Sequence, residues 1–158
     1  MDKEIYEAIE KSIEELGTKY LETPFIFLNE EDVRCHLFSQ LLKYECISKK
    51  ILDTSGKYKT LKMHAQIKYE GESKNDIPDI IILEEGTTEI INRSNKFKFK
   101  EAKNTDKLDE DIPIEIKFSF NSQSNWEIRS LKNDLKKLKS FQWGYVVMFL
   151  VCGSLTTE

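Results

Sequence analysis

The chain has 158 residues, 39% hydrophobic and 33% charged, with a formal net charge of -4 at pH 7. That length and apolar content suit one domain around one sizeable core, and the slight acidity neither demands nor excludes nucleic acid, because lysines can still gather on one face. Cys35, Cys46 and Cys152 show no CxxC spacing, which argues against a disulfide framework or zinc site and for reduced thiols. The acidic start "MDKEIYEAIEKSIEEL" is no secretory signal and no apolar run nears the ~18 residues of a membrane span, so the expectation is a cytoplasmic protein without a membrane partner.

The first element is an amphipathic helix, "EIYEAIEKSIEELGTKYL", with Ile5, Ala8, Ile9, Ile13, Leu16 and Tyr20 at spacings of three and four; Gly17 either interrupts it or sits near its end. After "TPFIFL" a second helix runs through "NEEDVRCHLFSQLLKYECI", with Asn29 as N-cap, acids in the first turn and a stripe of Val33, Leu37 and Leu41. "DTSGKYK" is a turn, and "LKMHAQIKY" reads as one half-buried strand with Leu61, Met63, Ala65, Ile67 and Tyr69 on one face. The polar turn "EGESKND" leads to a second strand, "IPDIIIL", as a hairpin. Residues 85 to 111 are polar and turn-rich apart from "KFKFK", and read as an insertion holding a short strand or a flexible excursion. A third strand, "IPIEIKF", a helix, "NWEIRSLKNDLKKLKSF", with Ile128, Leu131, Leu135 and Leu138 on one face, and a buried fourth strand, "WGYVVMFLVCG", complete one α/β domain spanning residues 1 to 158.

Three charges stand out in the strands. In "IPIEIKF" the residues Ile112, Ile114, Ile116 and Phe118 share one face, so Glu115 and Lys117 share the other. Asp79 interrupts the isoleucines of "IPDIIIL", where an unpaired carboxylate would be costly to bury. If the two strands are neighbours, Asp79 and Glu115 converge and offer two hard oxygen ligands of the kind that hold Mg²⁺ or Mn²⁺. Lys117 beside them suits orienting a water or offsetting charge on a phosphate. A structural salt bridge near the end of a sheet is the plainer alternative.

These residues resemble the PD-(D/E)XK nucleases: "PD" at Pro78 and Asp79 and "EIK" at Glu115, Ile116 and Lys117, in order and on strands, with an amphipathic helix following. The resemblance covers a core of about residues 29 to 153. It implies a restriction-endonuclease-like, three-layer α/β fold: a mixed central sheet of about four strands flanked by helices, here with an extra N-terminal helix. It further implies a metal-dependent nuclease acting on nucleic acid, DNA in the first instance. Asp79, Glu115 and the main-chain carbonyl of Ile116 would hold Mg²⁺ or Mn²⁺, and Lys117 would position the nucleophile. Many members add a glutamate from the first core helix. Glu30 fits that role because it lies on the stripe of Val33, Leu37 and Leu41 while Glu31 is rotated away; a simple dipole-compensating acid is the alternative.

Lys96, Lys98 and Lys100 of "KFKFK" and Lys132 and Lys136 of "KNDLKKLK" suit phosphate contacts or, equally, a solvated face. Asn121 to Ser124 form an ordinary polar loop near the expected site, and His36 and His64 have no partner at ligand spacing. A homodimer stays open. The reading that competes with an enzyme is a binding module, for nucleic acid or protein, that keeps the fold without turnover.

Overall fold

A computed structural model describes residues 2–23, 26–67, 77–93, 96–101, 111–119, 125–138, 141 and 144–150. Helix α1 covers Lys3–Glu22 and buries Ile5, Ala8, Ile9 and Leu16 of its apolar stripe, with Ile13 and Tyr20 partly buried against the same core; Gly17 lies inside it without interrupting it. Helix α2, Glu30–Leu41, starts where the cap residue dictates. The Asn29 side chain accepts from the Asp32 N–H at 2.9 Å, which satisfies one end donor, and the Asp32 carboxylate accepts from the Leu28 N–H at 2.9 Å, which pins the chain entering the helix.

The expected continuation of α2 to Ile47 does not form. Ile47 is six positions beyond Leu41, off the Val33–Leu37–Leu41 stripe, and it enters the core only because the chain turns at Leu42–Tyr44 and restarts as α3, Glu45–Ser48. The "DTSGKYK" turn then joins two strands, β1 (Lys50–Leu52) and β2 (Lys59–Leu61), into an antiparallel hairpin, with Gly56 at φ 68°.

The single strand expected over 61 to 69 is broken. β2 ends at Leu61, Lys62 bends the chain, and β3 covers only Met63–Ala65 before Gln66 takes a left-handed backbone (φ 50°). The two kinks undo the alternation. Met63 joins the core under α1 and α2, Ile67 packs with Ile51, Ile81 and Leu83, and Leu61 and Ala65 are exposed. Tyr69 and the "EGESKND" turn lie outside the described residues. Lys62, 1% exposed, is carried inward at the bend and pairs with Glu84 at 3.1 Å.

β4 (Ile80–Ile82), β7 (Ile112–Ser119) and β8 (Tyr145–Leu150) complete a four-stranded mixed sheet of order β3-β4-β7-β8, antiparallel except for the parallel β7–β8 pair that α4 (Asn125–Lys137) connects. Between β4 and β7, part of the 85 to 111 insertion is a hairpin: β5 (Thr88–Arg93) pairs antiparallel with β6 (Lys96–Glu101). Its base is strapped to the body. Buried Asp53 accepts from Ser55 Oγ, from the Lys57 and Tyr58 N–H groups at 3.0 Å and from Ile90 N–H at 3.4 Å, while Thr87 Oγ1 and the Glu84 N–H both donate to Asp111.

The main core lies between α1, α2 and one sheet face, where Ile80, Ile82, Ile112, Ile114, Ile116, Val147 and Phe149 are buried. By strand alternation Ile81 and Glu115 point to the opposite face, where α4 packs. β8 is not wholly buried as expected: Val147 and Phe149 face the core, but Met148 is 37% exposed on this edge strand. Among the described residues no helix is long and apolar enough to cross a membrane.

Candidate active site

β4 and β7 are neighbours, with Ile80 opposite Ile114; one step further along that register brings Asp79 opposite Glu115, which puts the two carboxylates on one face. Asp79 sits at the threshold of β4. Its Oδ2 accepts the Ile116 N–H at 2.8 Å and its carbonyl accepts the Gln66 N–H at 3.2 Å, so both its side chain and its backbone are fixed by neighbouring strands. Arg34 of α2 stands 3.6 Å from Asp79 Oδ1 and also binds Glu31, one turn back on its own helix. Ile80–Ile82, which follow it, fix β4 in the sheet, and the carboxylate, 13% exposed, stands just ahead of that strand.

Glu115 is 1% exposed in the middle of β7. Its Oε2 accepts from Lys137 Nζ at 3.1 Å, while Oε1 is buried with no hydrogen-bond partner among the described residues. Burial pushes the carboxyl up to about 7, reinforced by Asp79 and Asp134 and opposed by Lys137. Two residues on, Lys117 Nζ lies 3.5 Å from Glu30 Oε2 and 3.3 Å from Asp134 Oδ2. Burial would lower its pKa, but Glu30 and Asp134 outweigh it and raise the value, so the side chain remains an ammonium. Glu30 is raised by burial and by Asp79, against the pull of Lys117.

The structure therefore brings Asp79, Glu115, Lys117 and Glu30 to one end of the sheet and adds three residues that sequence reasoning missed. Arg34 carries a signal in hindsight, since it follows Glu30 by four on one helix side. Asp134 and Lys137 are less visible. The expected apolar face of α4 predicts Leu135 inward, yet Leu135 is 47% exposed and Asp134 is 3% exposed. The reason is charge: Asp134 lies 3.3 Å from both Lys117 and Lys137, and those pairings turn the helix. Ile128's side chain is outside what the structure describes.

The remaining candidates divide. Lys132 and Lys136 are exposed on α4. Lys96, Lys98 and Lys100 occupy alternate positions of β6, opposite Arg93, Ile91 and Glu89 respectively, with their side chains outside what the structure describes. Asn121 to Ser124 are outside the described residues. His64 is bonded to Thr60 Oγ1 and the Leu61 carbonyl, and exposed His36 packs against the edge of Phe27.

Among the described residues no three His, Cys, Asp and Glu side chains form a group that would hold a metal ion. Two carboxylates with water suffice for Mg²⁺, and the partnerless buried Oε1 of Glu115 beside Asp79 fits such a hard-oxygen donor set. Comparison with protein-family models, with curated proteins and with solved structures finds no match.

Proposed function

We propose that this chain is a metal-dependent nuclease of the PD-(D/E)XK type, on a restriction-endonuclease-like fold, hydrolysing phosphodiester bonds of nucleic acid and of DNA in the first instance. The observation that carries the reading is the meeting of Asp79, Glu115 and Lys117 at one sheet end, with a buried Glu115 oxygen left without a partner among the described residues. A four-stranded mixed sheet flanked by helices supports that reading.

Asp79, Glu115 and the Ile116 carbonyl would hold Mg²⁺ or Mn²⁺, with Glu30 assisting. When bound, such an ion supplies Lewis acidity toward the phosphate and a more acidic water. The chain does the rest. Asp79 is oriented by the Ile116 N–H and Arg34. Lys117, held as an ammonium between Glu30 and Asp134, donates hydrogen bonds and so orients a nucleophile rather than taking its proton. Products carrying a 5′-phosphate and a 3′-hydroxyl follow from the family resemblance. Lys96, Lys98, Lys100, Lys132 and Lys136 supply candidate phosphate contacts.

One observation favours a second reading, a binding module without turnover: Arg34 and Lys137 already pair with Asp79 and Glu115. Incubating the chain with plasmid, single-stranded DNA and RNA in Mg²⁺, Mn²⁺ or EDTA separates the two. The nuclease reading expects cleavage with a divalent ion, none in EDTA, and loss of cleavage in D79A and E115A. Divalent-independent binding with no cleavage of any substrate selects the module.

A further inference from the structure

We propose that the Lys137 ammonium is the resident counter-ion of Glu115, and that a divalent ion taken up by this carboxylate displaces it. The identity of the incoming ion rests on the nuclease reading; the displacement itself rests on geometry. Glu115, 1% exposed, needs a partner to be buried as a charge, and among the described residues the hydrogen bond its side chain accepts comes from Lys137, 3.1 Å from Oε2. The other oxygen is free of partners among the described residues, so the carboxylate is half engaged.

Lys137 is built to leave. Its side chain is 21% exposed, and a long flexible stem lets the ammonium reach water without moving the helix. Buried Asp134, one helical turn back, lies 3.3 Å from the same ammonium and keeps it near when Glu115 lets go. Asp134 also holds Lys117, so its own charge stays paired throughout. A divalent cation and an ammonium on one carboxylate repel each other strongly at such short range. The exchange is therefore one for one. Lys136, the next residue, is exposed and forms no ion pair with these groups among the described residues, so it gives the same charge without the contact.

The test is calorimetric titration of Mn²⁺ into the full chain with no nucleic acid present. Lys137→Gln is expected to bind Mn²⁺ about tenfold more tightly or better, the scale of one charge-assisted hydrogen bond removed from competition. Lys137→Arg keeps the charge and should stay near the wild-type affinity, and Lys136→Gln should change it by about twofold or less, because an exposed charge is screened. In an E115Q background the gain from K137Q should vanish. Lys137→Met, which retains the packed stem, repeats the measurement if the Gln variant folds poorly. Equal gains from K136Q and K137Q overturn the proposal, as does weaker binding by K137Q or no Mn²⁺ binding by any variant. Equal Mn²⁺ affinity of wild type and K137Q with divalent-dependent cleavage intact overturns it while leaving the nuclease reading standing. Tightened Mn²⁺ binding by K137Q with no cleavage by wild type sustains the displacement and removes the nuclease reading.

Discussion

Glu115 should make the stability of this protein fall as pH rises through neutrality, and replacing it with Gln should abolish that loss. Its carboxyl is pushed up from 4.5 to about 7 by burial, with Asp79 and Asp134 adding to the effect against Lys137. Between these values the folded chain keeps a proton that the unfolded chain has released. The folded state thus binds more protons, and stability declines with pH. The contribution is complete below about pH 4.5 and gone above about pH 7. Each pH unit of that window is worth about 1.4 kcal/mol, so the full effect is about 3 kcal/mol, an upper figure because local relaxation and water entry reduce it. Urea unfolding of wild type and E115Q at pH 5, 6, 7 and 8, without divalent ions, isolates the group, since every other titration is common to both. The stability of E115Q minus that of wild type should grow by about 2 to 3 kcal/mol from pH 5 to pH 8. Parallel profiles would refute the reasoning and mean that Glu115 stays ionised and fully compensated by Lys137.

Under the nuclease reading, Lys117→Ala should lower turnover by ~10²-fold, about 2.7 kcal/mol of transition-state stabilisation, with Mn²⁺ affinity retained; Asp79→Ala should instead lose Mn²⁺ binding, and calorimetry beside kinetics distinguishes the two. Asp53→Ala removes the acceptor shared by the Lys57, Tyr58 and Ile90 N–H groups and should cost about 2 kcal/mol, read as a lower urea midpoint; an unchanged midpoint shows that water replaces the carboxylate. Replacing residues 89 to 100 by a short Gly-Ser link should weaken nucleic-acid binding and flatten its salt dependence by about one in slope for each phosphate that the hairpin engages, and an identical slope makes "KFKFK" a solvated surface.

Local periodicity determined much of the fold. The Val33–Leu37–Leu41 face and most of the α1 stripe bury the side chains their spacing selects, Asn29 caps its helix, and Ile112, Ile114 and Ile116 of "IPIEIKF" share the face that meets the main core. The same alternation fixed Glu115 and Lys117 on one face before any neighbour was known, because side-chain direction in a strand depends on the backbone alone. It failed where non-local contacts outweighed local pattern. The strand expected from Leu61 onward breaks because Lys62 is drawn inward to Glu84 and Gln66 turns its N–H to the Asp79 carbonyl. "KFKFK" became a strand only by finding Thr88–Arg93 as its partner, a pairing that a strand's own residues do not specify.

The candidate site divides along the same line. Asp79, Glu115, Lys117 and Glu30 were legible because each breaks or extends an apolar pattern on its own element. Arg34, Asp134 and Lys137 were not, since a charged residue on a surface helix has the same sequence appearance whether it faces water or a buried carboxylate. Only the sheet, by bringing Glu115 and Lys117 under α4, made Asp134 rather than Leu135 the inward position. An ion pair in a dry interface is worth more than one more apolar contact only when both partners are already there, and where partners stand is decided by tertiary structure.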